Sequence, residues 1–456
     1  MDQPLHVVIL AAGQGKRMRS PLPKVLQPVA QQPLLAHVIA TAQELGPTAV
    51  HIVYGHGGEQ VQAAFAAQPD LRWALQAEQL GTGHAVQMAL PDVPEGAMVL
   101  VLLGDAPLMR SESLRRVLND AGQGLGVLSA LVADPAGYGR MVRDADGALE
   151  SIVEHKDASP DQLAINEVNS GVIAAPAGAL QRWLGQVGRD NSQGEVYLTD
   201  CVAIARAEGA SVAATVAEHA EEILGANDRW QLAELERHYQ RRAAAELCAQ
   251  GATVLDPSRV DVRGEVSVDE GVVIDVNTIF EGKVVLGAGT RIGAGCVIKD
   301  STLGPGTRVA PYSVLESVEC EGDSDIGPFA RMRPGTYLSR DCKVGNFVET
   351  KKARFGQGSK ASHLSYLGDA QIGSDVNIGA GTITCNYDGV NKHLTVIEDG
   401  VFVGSDTQLV APVTVGKGAT LGAGTTLTKD APADQLTITR VRQQVIEGWQ
   451  KPVKKS

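Results

Sequence analysis

Residues 284–300 read VVLGAGTRIGAGCVIKD, and this stretch places an aliphatic residue at every sixth position. Leu286, Ile292 and Ile298 mark the spacing, and glycine follows the first two of them. A period of six differs both from the 3.6-residue period of a helix and from the two-residue period of a strand. It is typical of a triangular coil in which each side points one aliphatic residue inward, and three sides make a turn of about 18 residues.

The same spacing covers most of the chain after Gly251, with slips of phase between runs. The apolar positions of the repeat are Val262, Val268, Ile274, Phe280, Leu286, Ile292, Ile298, Leu303, Val309, Leu315, Ile326, Met332, Leu338, Val344, Ile372, Ile378, Ile397, Val403, Leu409, Val415, Leu421 and Leu427. Stacked turns of this kind bury a continuous aliphatic column. The pattern predicts a parallel β-helix of hexapeptide repeats over residues 251–456.

Two steps of the repeat are long: 28 residues from Val344 to Ile372 and 19 from Ile378 to Ile397. Extra residues in a solenoid commonly leave it as loops on one face, which is often the binding face. We therefore expect both steps to form loops that carry functional residues. The candidates within them are His363, Tyr366, Asn386, Tyr387 and Lys392.

The first half of the chain has three nearly continuous aliphatic runs, His6–Gly13, Ala49–Gly55 and Met98–Asp105. Such runs are typical of parallel strands that are buried on both faces of a sheet flanked by helices. Ligands of these folds bind beyond the carboxyl ends of the strands. Those ends are predicted at residues 13–17 and 104–105 of an α/β, Rossmann-like domain.

A helical stripe separates the two patterns. Asp228 and Gln231 resemble a capping box at its start, and Gly251 is a stop signal. The stripe consists of Leu232, Leu235, Tyr239, Ala243 and Leu247. We predict domains at residues 1–229 and 251–456, joined by a helical linker over residues 230–250.

Composition excludes several classes of function. The 456 residues carry a net charge of −13, which argues against a protein that coats nucleic acid or an anionic membrane. No run approaches the roughly 20 apolar residues that span a bilayer, and the first residues lack the basic region of an export signal. The six cysteines form neither a CxxC pair nor a zinc motif. We expect a reduced, cytoplasmic protein that acts on small molecules, without nucleic acid and without membrane insertion.

The first aliphatic run continues into LAAGQGKRM, residues 10–18. Met18 stands where a dinucleotide fingerprint needs a third small residue, so the stretch is only weak evidence for NAD binding. It also lacks the GxxxxGK(S/T) pattern of a P-loop. A turn of small residues can direct its N–H groups at phosphate oxygens, with Arg17 and Lys24 supplying positive charge. An ordinary strand-to-helix turn with solvated cations remains the alternative.

LAAGQGKRM followed by LPKVL (residues 22–26) resembles the signature of nucleoside-diphosphate-sugar pyrophosphorylases. Three more motifs extend the resemblance: QAEQLGTGHA at 76–85, VEHKDA at 153–158 and CNYDGVNK at 385–392. Together with the repeats, essentially the whole chain resembles the bacterial bifunctional family of N-acetylglucosamine-1-phosphate uridyltransferases and glucosamine-1-phosphate N-acetyltransferases. The resemblance, and not the spacing, implies a left-handed β-helix and a homotrimer.

The resemblance implies a two-step enzyme. Its carboxy-terminal domain would acetylate glucosamine-1-phosphate from acetyl-CoA, and its amino-terminal domain would transfer the uridyl group of UTP to the product and release pyrophosphate, with Mg²⁺ as cofactor. The product, UDP-N-acetylglucosamine, is a precursor of peptidoglycan and lipopolysaccharide.

The resemblance also implies the residues of the uridyltransferase site. Arg17 and Lys24 would act on the phosphates, and Asp105 and Asn227 would hold Mg²⁺. A helix cap is the alternative for Asp105, and without the family Asn227 would be interpreted as a helix-start residue. Substrate contacts are implied for Leu10, Ala11, Ala12, Gly13, Lys24, Gln76, Gly81, Thr82, Leu103, Gly104, Asp105, Gly139, Glu154, Asn169 and Asn227. Among them, residues 10–13, Lys24, Gln76, Gly81 and Thr82 would bind the nucleotide, and Gly139, Glu154 and Asn169 would bind the acetylated sugar. Leu103 departs from the tyrosine that is usual before Gly-Asp in this family.

In the acetyltransferase half, His363 would be the base, because its ordinary pKa lies near neutrality. The sugar phosphate would contact Arg333, Lys351, Tyr366 and Asn377. Acetyl-CoA would contact Ala380, Asn386, Tyr387, Ser405, Ala423 and Arg440. The basic tail, residues 451–455, is interpreted as solvated.

Two other functions remain open at this point. The β-helix could be a regulatory and oligomerising module of a pyrophosphorylase without acetyl transfer. The chain could also be a scaffold with decayed sites, which the presence of Lys24, Asp105 and His363 disfavours.

Overall fold

The structure is a computed structural model that describes residues 3–13, 15–439 and 441–454. It divides into two compact units, Met1–Tyr239 and Gln240–Ser456, called unit 1 and unit 2 below. The division lies inside the predicted linker. Among the described residues, no helix combines the length and the apolar character needed to cross a membrane.

Unit 1 contains a nine-stranded sheet and one separate two-stranded hairpin. Its strands are β1 (Leu5–Leu10), β2 (Pro28–Val29), β3 (Gln32–Pro33), β4 (Ala49–Tyr54), β5 (Leu71–Leu75), β6 (Met98–Leu103), β7 (Leu125–Leu131), β8 (Arg140–Arg143), β9 (Leu149–Val153), β10 (Glu167–Pro176) and β11 (Val212–Val216). The three aliphatic runs of the sequence form β1, β4 and β6, as predicted.

The large sheet has the order β11-β7-β10-β6-β1-β4-β5, with β8 and β9 attached beside β10. β1 pairs in parallel with both β4 and β6, whereas β10 runs antiparallel to β6 and β7. Separate apolar clusters cover its two faces, one around Ile9 and Leu100 and one around Val8 and Val99. Successive side chains of a strand point to opposite faces, so burial on both faces requires the uninterrupted aliphatic runs.

In the part of the chain that the structure describes, eight α-helices lie in unit 1 or begin there. They are α1 (Leu34–Gln43), α2 (Gly58–Ala64), α3 (Thr82–Ala89), α4 (Ser111–Ala121), α5 (Pro160–Leu163), α6 (Ala177–Leu184), α7 (Cys201–Ala207) and α8 (Arg229–Ala249). Short 3₁₀ turns lie at Lys16–Met18, Lys24–Leu26, Leu90–Asp92, Leu198–Asp200 and Ala220–Ile223 in unit 1 and at Pro257–Arg259 in unit 2.

Helix α8 corresponds to the predicted linker and crosses the division between the units. Leu232 and Leu235 are buried in a cluster of unit 1 that contains Leu34. Further along, the Gln240 side chain donates to the Val262 carbonyl at 2.9 Å and accepts from the Val262 N–H at 2.6 Å, within unit 2. The first turns of α8 therefore pack in unit 1, and Gln240, near the middle of the helix, is hydrogen-bonded within unit 2.

Unit 2 consists of short parallel strands that stack coil upon coil. They are β12 (Thr253–Val254), β13 (Val260–Val268), β14 (Val273–Ile274), β15 (Thr278–Leu286), β16 (Arg291–Ile292), β17 (Val297–Lys299), β18 (Thr302–Leu303), β19 (Arg308–Val309), β20 (Val314–Glu316), β21 (Val318–Cys320), β22 (Asp325–Ile326), β23 (Arg331–Met332), β24 (Thr336–Leu338), β25 (Lys343–Asn346), β26 (Glu349–Phe355), β27 (Lys360–His363), β28 (Tyr366–Ile372), β29 (Asn377–Ile378), β30 (Ile383–Cys385), β31 (Thr395–Ile397), β32 (Phe402–Val403), β33 (Gln408–Val410), β34 (Val413–Val415), β35 (Thr420–Leu421), β36 (Thr426–Leu427) and β37 (Leu436–Thr437).

The parallel β-helix is confirmed. Every apolar position of the predicted repeat is buried, from Val262 to Leu427. Strands one coil apart pair in parallel, for example Ile274 with Ile292 and Ile292 with Val309. The inward column is therefore built by one aliphatic residue from each side of each coil.

One prediction about the repeat is wrong. The step from Val344 to Ile372 is not a loop, because β26, β27 and β28 continue the coil through it. Its inward positions are Thr350, Phe355, Ala361 and Leu367, all buried. Threonine and alanine fill two of these positions, so a pattern of large aliphatic residues does not detect them. The second step does contain a loop, between β30 and β31.

Candidate active sites

Two adjoining cavities open at the carboxyl ends of the strands of unit 1. One has a volume of about 270 Å³ and the other about 410 Å³. Both are lined by Leu10 and Leu103, the last residues of β1 and β6, and by Thr82 and Asp105. The polypeptide thus places a two-part site at the edge where a parallel sheet is expected to bind ligands.

The smaller cavity gathers most of the residues implied for the nucleotide. Its walls include Leu10, Ala11, Ala12, Gly13, Lys24, Gln76, Gly81, Thr82, Leu103 and Asp105. Gln76 directly follows β5 and is buried, and its amide Nε2 donates to the Gly81 carbonyl at 3.0 Å. Besides small and apolar residues, this cavity is lined by one lysine, two glutamines and two acidic residues.

The larger cavity gathers the residues implied for the sugar, Gly139, Glu154 and Asn169. Burial raises the pKa of the Glu154 carboxyl, while a hydrogen bond from Thr199 opposes the shift. Thr199 Oγ1 donates to Glu154 Oε1 at 3.2 Å, and Asn169 Oδ1 accepts from the Gly171 N–H at 3.0 Å. Carboxylate and amide groups in such a pocket can bind hydroxyl and amide groups of a ligand.

Lys24, Asp105 and Asn227 meet between the two cavities. The Lys24 ammonium forms an ion pair with the Asp105 carboxylate and donates to Asn227 Oδ1 at 2.9 Å. The oxygen atoms of Asp105 and Asn227, which come from distant segments, therefore face the same cation. The predicted capping box at the start of α8 is only half formed: Asp228 accepts from the Gln231 N–H, but the Gln231 side chain accepts from the Asn227 N–H at 2.7 Å. Gln231 therefore holds Asn227 in place.

Arg17 and Gly104 complete the set of implied residues. Arg17 lies in the first 3₁₀ turn, lines the larger cavity and is exposed. Gly104 lies between β6 and Asp105, and its N–H donates to the Leu10 carbonyl at 2.9 Å. This bond holds the ends of β1 and β6 together beside the site.

Leu103 contributes its side chain, and not only its backbone, to the site. A Cβ atom at Gly171 would lie 2.7 Å from Leu103 Cδ1, so the leucine packs directly on the Gly171 backbone. Both cavities include Leu103. Where related chains are expected to present a phenol, this chain presents an apolar surface.

Several lining residues were missed by the sequence analysis. Gln79 Nε2 donates to the Ala12 carbonyl at 3.0 Å and so holds the turn that follows β1. Gln79 lies inside the QAEQLGTGHA motif, which could have drawn attention to it. Tyr138, Glu195 and Thr199 also line the cavities, but the two loops and the 3₁₀ turn in which they lie carry no motif.

In unit 2, His363 ends β27 and is exposed. Its Nδ1 lies 2.8 Å from Oδ1 of Asn346, which is its register partner on β25. An amide oxygen only accepts, so Nδ1 carries the proton and the Nε2 lone pair of the neutral ring remains available. Asn346 was not predicted; the 17-residue spacing of adjacent coils is the signal that could have found it.

Cationic side chains gather on the neighbouring coils. Arg333 Nη1 is 3.0 Å from Glu349 Oε1. A hydrogen bond and charge repulsion from Lys392 lower the pKa of Lys351; the charge of Arg333 adds to this effect and Asp369 opposes it. Lys392 comes from the loop after β30, so that loop adds a second ammonium group next to Lys351. Cations held this close favour binding of an anion.

Tyr366 and Asn377 lie on the next coils. Tyr366 begins β28, and its hydroxyl lies over Gly368, where a Cβ atom would be only 2.5 Å away. Gly368 is the register partner of Lys351. Asn377 is exposed and pairs in register with Lys360 on one side and Phe402 on the other.

Three of the residues implied for acetyl-CoA lie in one row with His363. Ala361, Ile378, Val403 and Leu421 are successive register partners. Two residues further on from each of these lie His363, Ala380, Ser405 and Ala423. Because coils stack about 4.8 Å apart, these four residues form a row along one corner of the β-helix. Arg440 lies outside the described residues.

The loop after β30 is held by its own hydrogen bonds. Asn386 is buried and its Nδ2 donates to Asp369 Oδ2 at 2.5 Å, while the exposed Tyr387 forms a bridge with Lys392. Asp388 accepts from the backbone N–H of Asn391 at 2.7 Å and pairs with His393 at 2.7 Å. The hydrogen bond from His393, more than the backbone bonds, lowers the pKa of Asp388.

Comparisons with known proteins agree with both units. The MobA-like NTP transferase domain matches residues 7–156, and the bacterial transferase hexapeptide family (six repeats) matches residues 394–429. Bifunctional protein GlmU of Stenotrophomonas maltophilia strain K279a is 59% identical over 456 residues, which is 100% of both chains. Bifunctional protein GlmU of Xanthomonas euvesicatoria pv. vesicatoria strain 85-10 is 58% identical over 455 residues, again covering 100% of both chains. The chain therefore belongs to the family of the bifunctional protein GlmU.

Proposed function

We propose that unit 2 acetylates glucosamine-1-phosphate from acetyl-CoA and that unit 1 then joins the product to the uridyl group of UTP. Membership in the family makes the chain a transferase of UDP-N-acetylglucosamine synthesis with an acetyltransferase and a uridyltransferase activity. Its product would feed peptidoglycan and lipopolysaccharide synthesis in the cytoplasm, where UTP and acetyl-CoA are available. The observation that carries the assignment of acetyl transfer to unit 2 is the hydrogen bond between Asn346 and His363.

Acetyl transfer needs an uncharged amine, because an ammonium group has no lone pair. With its Nδ1 proton directed at Asn346, His363 can take a proton from the amine through Nε2. A carbon–nitrogen bond then forms at the thioester carbonyl, the carbon–sulfur bond breaks, and the CoA thiolate leaves. Asn346 is a positioning residue in this proposal, since it fixes the tautomer of the base.

The sugar phosphate of this reaction would bind among Arg333, Lys351 and Tyr366, with Asn377 contacting the sugar. Guanidinium and ammonium groups bind phosphate by charge-assisted hydrogen bonds. The mutual repulsion of Lys351 and Lys392 is relieved when an anion binds between them. Lys392 is therefore part of the proposed phosphate site.

Acetyl-CoA would lie along the corner row that begins at His363. Ala380, Ser405 and Ala423 are small, so a narrow pantetheine chain can approach the backbone there, and Asn386 and Tyr387 border it from the loop. Arg440 would contact a CoA phosphate. This arrangement would bring the thioester to the base at one end of the row.

Uridyl transfer is a displacement at the α-phosphorus of UTP. A phosphate oxygen of N-acetylglucosamine-1-phosphate attacks, the bond to the bridging oxygen breaks, and pyrophosphate leaves. The turn from Leu10 to Gly13, with Lys24 and Arg17, would bind the triphosphate, and Gln76, Gly81 and Thr82 would bind the uracil. Positioning and neutralisation of charge account for most catalysis of this type.

Asp105 and Asn227 fit a Mg²⁺ site. Their oxygen atoms already face one cation, the Lys24 ammonium, and Mg²⁺ prefers oxygen ligands completed by substrate phosphates and water. No group of three or more His, Cys, Asp or Glu side chains suited to a metal occurs in residues 3–13, 15–439 and 441–454. When bound, Mg²⁺ would neutralise charge on the phosphates, and Lys24 would be free to contact them.

We also propose that the protein is a homotrimer through unit 2. Three exposed aromatic rings, Tyr312, Phe329 and Phe347, stack on successive coils with centroids 5.3 and 5.4 Å apart, and exposed Leu364 follows them. Such a ridge of apolar side chains favours self-association. Native mass spectrometry tests this proposal; a monomer at micromolar concentration would contradict it.

The test of the function measures both reactions on the whole chain. Acetyl-CoA consumption is followed with glucosamine-1-phosphate, and pyrophosphate release is followed with UTP and N-acetylglucosamine-1-phosphate, with and without Mg²⁺. We expect both activities, the second only with the metal. A folded sample that releases pyrophosphate but consumes no acetyl-CoA would instead support a regulatory β-helix.

A further inference from the structure

The amide of Gln76 has a fixed orientation. Its Nε2 lies 3.0 Å from the Gly81 carbonyl oxygen, and a carbonyl oxygen can only accept a hydrogen bond. The nitrogen of the amide must therefore face Gly81. Because Gln76 is buried, with 3% of its surface exposed, the opposite orientation would direct Oε1 at the Gly81 carbonyl oxygen, which is another acceptor and cannot bind it.

The Gly81 carbonyl is itself held firmly. It also accepts the first hydrogen bond of α3, from the Ala85 N–H at 3.1 Å. Gly81 has a φ of 111°, and a Cβ atom there would lie 2.5 Å from the Val196 carbonyl oxygen, so only glycine fits. The Val196 carbonyl in turn accepts from the Gly83 N–H at 2.9 Å. The acceptor that orients Gln76 therefore belongs to a rigid segment.

His84, in the first turn of α3, uses the second N–H of the same amide. Its Nδ1 lies 3.1 Å from Gln76 Nε2. Since Nε2 can only donate, Nδ1 must accept, and the ring proton lies on the His84 Nε2. Both amide hydrogens of Gln76 are thus engaged by the protein.

This arrangement leaves the Gln76 side-chain oxygen, Oε1, available to accept a hydrogen bond. Among the hydrogen bonds of the described residues, none has Gln76 Oε1 as acceptor, and Gln76 lines the 270 Å³ cavity. A ligand in that cavity therefore meets an acceptor without a competing donor. Uracil has an N–H at its ring position 3, whereas cytosine has an acceptor at the same position.

We infer that His84 is a positioning residue that sets the preference for uracil over cytosine. It holds the Gln76 amide so that only an acceptor faces the base. The inference rests on the proposed role of Gln76 in binding the base. Without His84, one amide hydrogen loses its partner and the Gly81 carbonyl alone holds the amide, so the amide turns more readily and can then offer an N–H to cytosine.

The test compares kcat/KM for UTP with kcat/KM for CTP in pyrophosphate release. We expect His84→Ala to lower the UTP-to-CTP ratio about three- to tenfold, which corresponds to one neutral hydrogen bond. His84→Asp is the matched control, because its carboxylate oxygen lies as many bonds from the backbone as Nδ1 and can only accept. We expect its ratio to stay within about twofold of the wild type. Gln76→Ala should lower the ratio more than either variant.

Three results would overturn the inference. If His84→Ala lowers kcat/KM for both nucleotides equally, the residue is merely structural. If His84→Asp loses as much discrimination as His84→Ala, the acceptor at Nδ1 is not the cause. If Gln76→Ala leaves the ratio unchanged, the proposed base-binding role fails and the inference fails with it. Acetyl transfer by the same preparations and far-ultraviolet circular dichroism report whether each variant is folded.

Discussion

The two units assemble their sites in different ways. In unit 1 the hydrogen bond between Lys24 and Asn227 joins residues 203 positions apart, whereas in unit 2 the bond between His363 and Asn346 joins residues 17 positions apart. A sheet with crossover connections collects loops from distant segments at one edge. A solenoid places every residue next to its counterpart on the following coil.

The contrast has a consequence for mutations. In unit 1, Asp105 pairs with Lys24, which also donates to Asn227, so the loss of Asp105 should change the proposed phosphate and metal contacts together. In unit 2, the position of a residue is set by its coil and its corner, so we expect neighbouring coils to supply separable functions. Substitutions should therefore abolish one activity and spare the other.

The largest effect is expected for His363→Ala. Removal of the base should lower acetyl transfer by about 10²- to 10⁴-fold, because general-base catalysis contributes on that order. Uridyl transfer should remain near the wild-type rate. The two reactions are assayed separately on one preparation, and parallel loss of both would contradict the assignment of separate sites.

Asp105→Ala should have the converse effect. Loss of this carboxylate removes a proposed Mg²⁺ ligand and the partner of Lys24, so uridyl transfer should fall by about 10²- to 10³-fold. Acetyl transfer serves as the internal control. A magnesium titration with an unchanged midpoint would refute the metal role of Asp105.

A smaller effect is expected for Asn346→Ala. The variant retains the base but loses the acceptor that fixes its tautomer, so acetyl transfer should fall about tenfold. Asn346→Asp, which keeps an acceptor, should retain more activity than the alanine variant at neutral pH. Equal rates for the two variants would show that the hydrogen bond does not orient His363.

The smallest effect concerns stability. His6 and His51 on β1 and β4 are buried and joined by a hydrogen bond of 2.9 Å. Burial lowers the pKa of His51 to about 4; the charges of His6 and Arg72 act in the same direction, and the charge of Asp92 opposes the shift. Burial, followed by the charge of Arg72, also lowers the pKa of His6. In the unfolded chain both histidines take up protons near pH 6.5, whereas in the folded chain they do so at lower pH, and for His51 only as the pH approaches 4.

The free energy of unfolding of unit 1 should therefore decrease as the pH falls from about 6.5 to 4, and it should be constant with respect to this pair at higher pH. Urea unfolding followed by tryptophan fluorescence measures this dependence, since Trp183 is buried in unit 1. His51→Gln should flatten the pH dependence over this range. An unchanged slope in the variant would exclude the pair as its cause.

The sequence was most informative where residue spacing alone defines structure. The six-residue period predicted the β-helix and its inward column, and the aliphatic runs predicted β1, β4 and β6. The pattern failed where Thr350 and Ala361 occupy inward positions, because a small or polar residue can fill the interior of a coil without marking the repeat. The apparent loop around His363 followed from that failure.

Contacts between distant segments could not be predicted in the same way. Nothing local to Tyr138 or Thr199 marks them as lining a cavity, because their position depends on sheet order. Gln231 was interpreted as a capping residue, but its side chain accepts from the Asn227 N–H. The roles of the site residues remain predictions that the variants above would test.

The most direct test of two independent sites is complementation between inactive variants. His363→Ala and Asp105→Ala are each supplied with glucosamine-1-phosphate, acetyl-CoA, UTP and Mg²⁺, and then they are mixed in equal amounts. We predict almost no UDP-N-acetylglucosamine from either variant alone and substantial synthesis from the mixture, because each variant retains the step that the other has lost. A mixture that stays inactive, while both proteins are folded, would contradict the account.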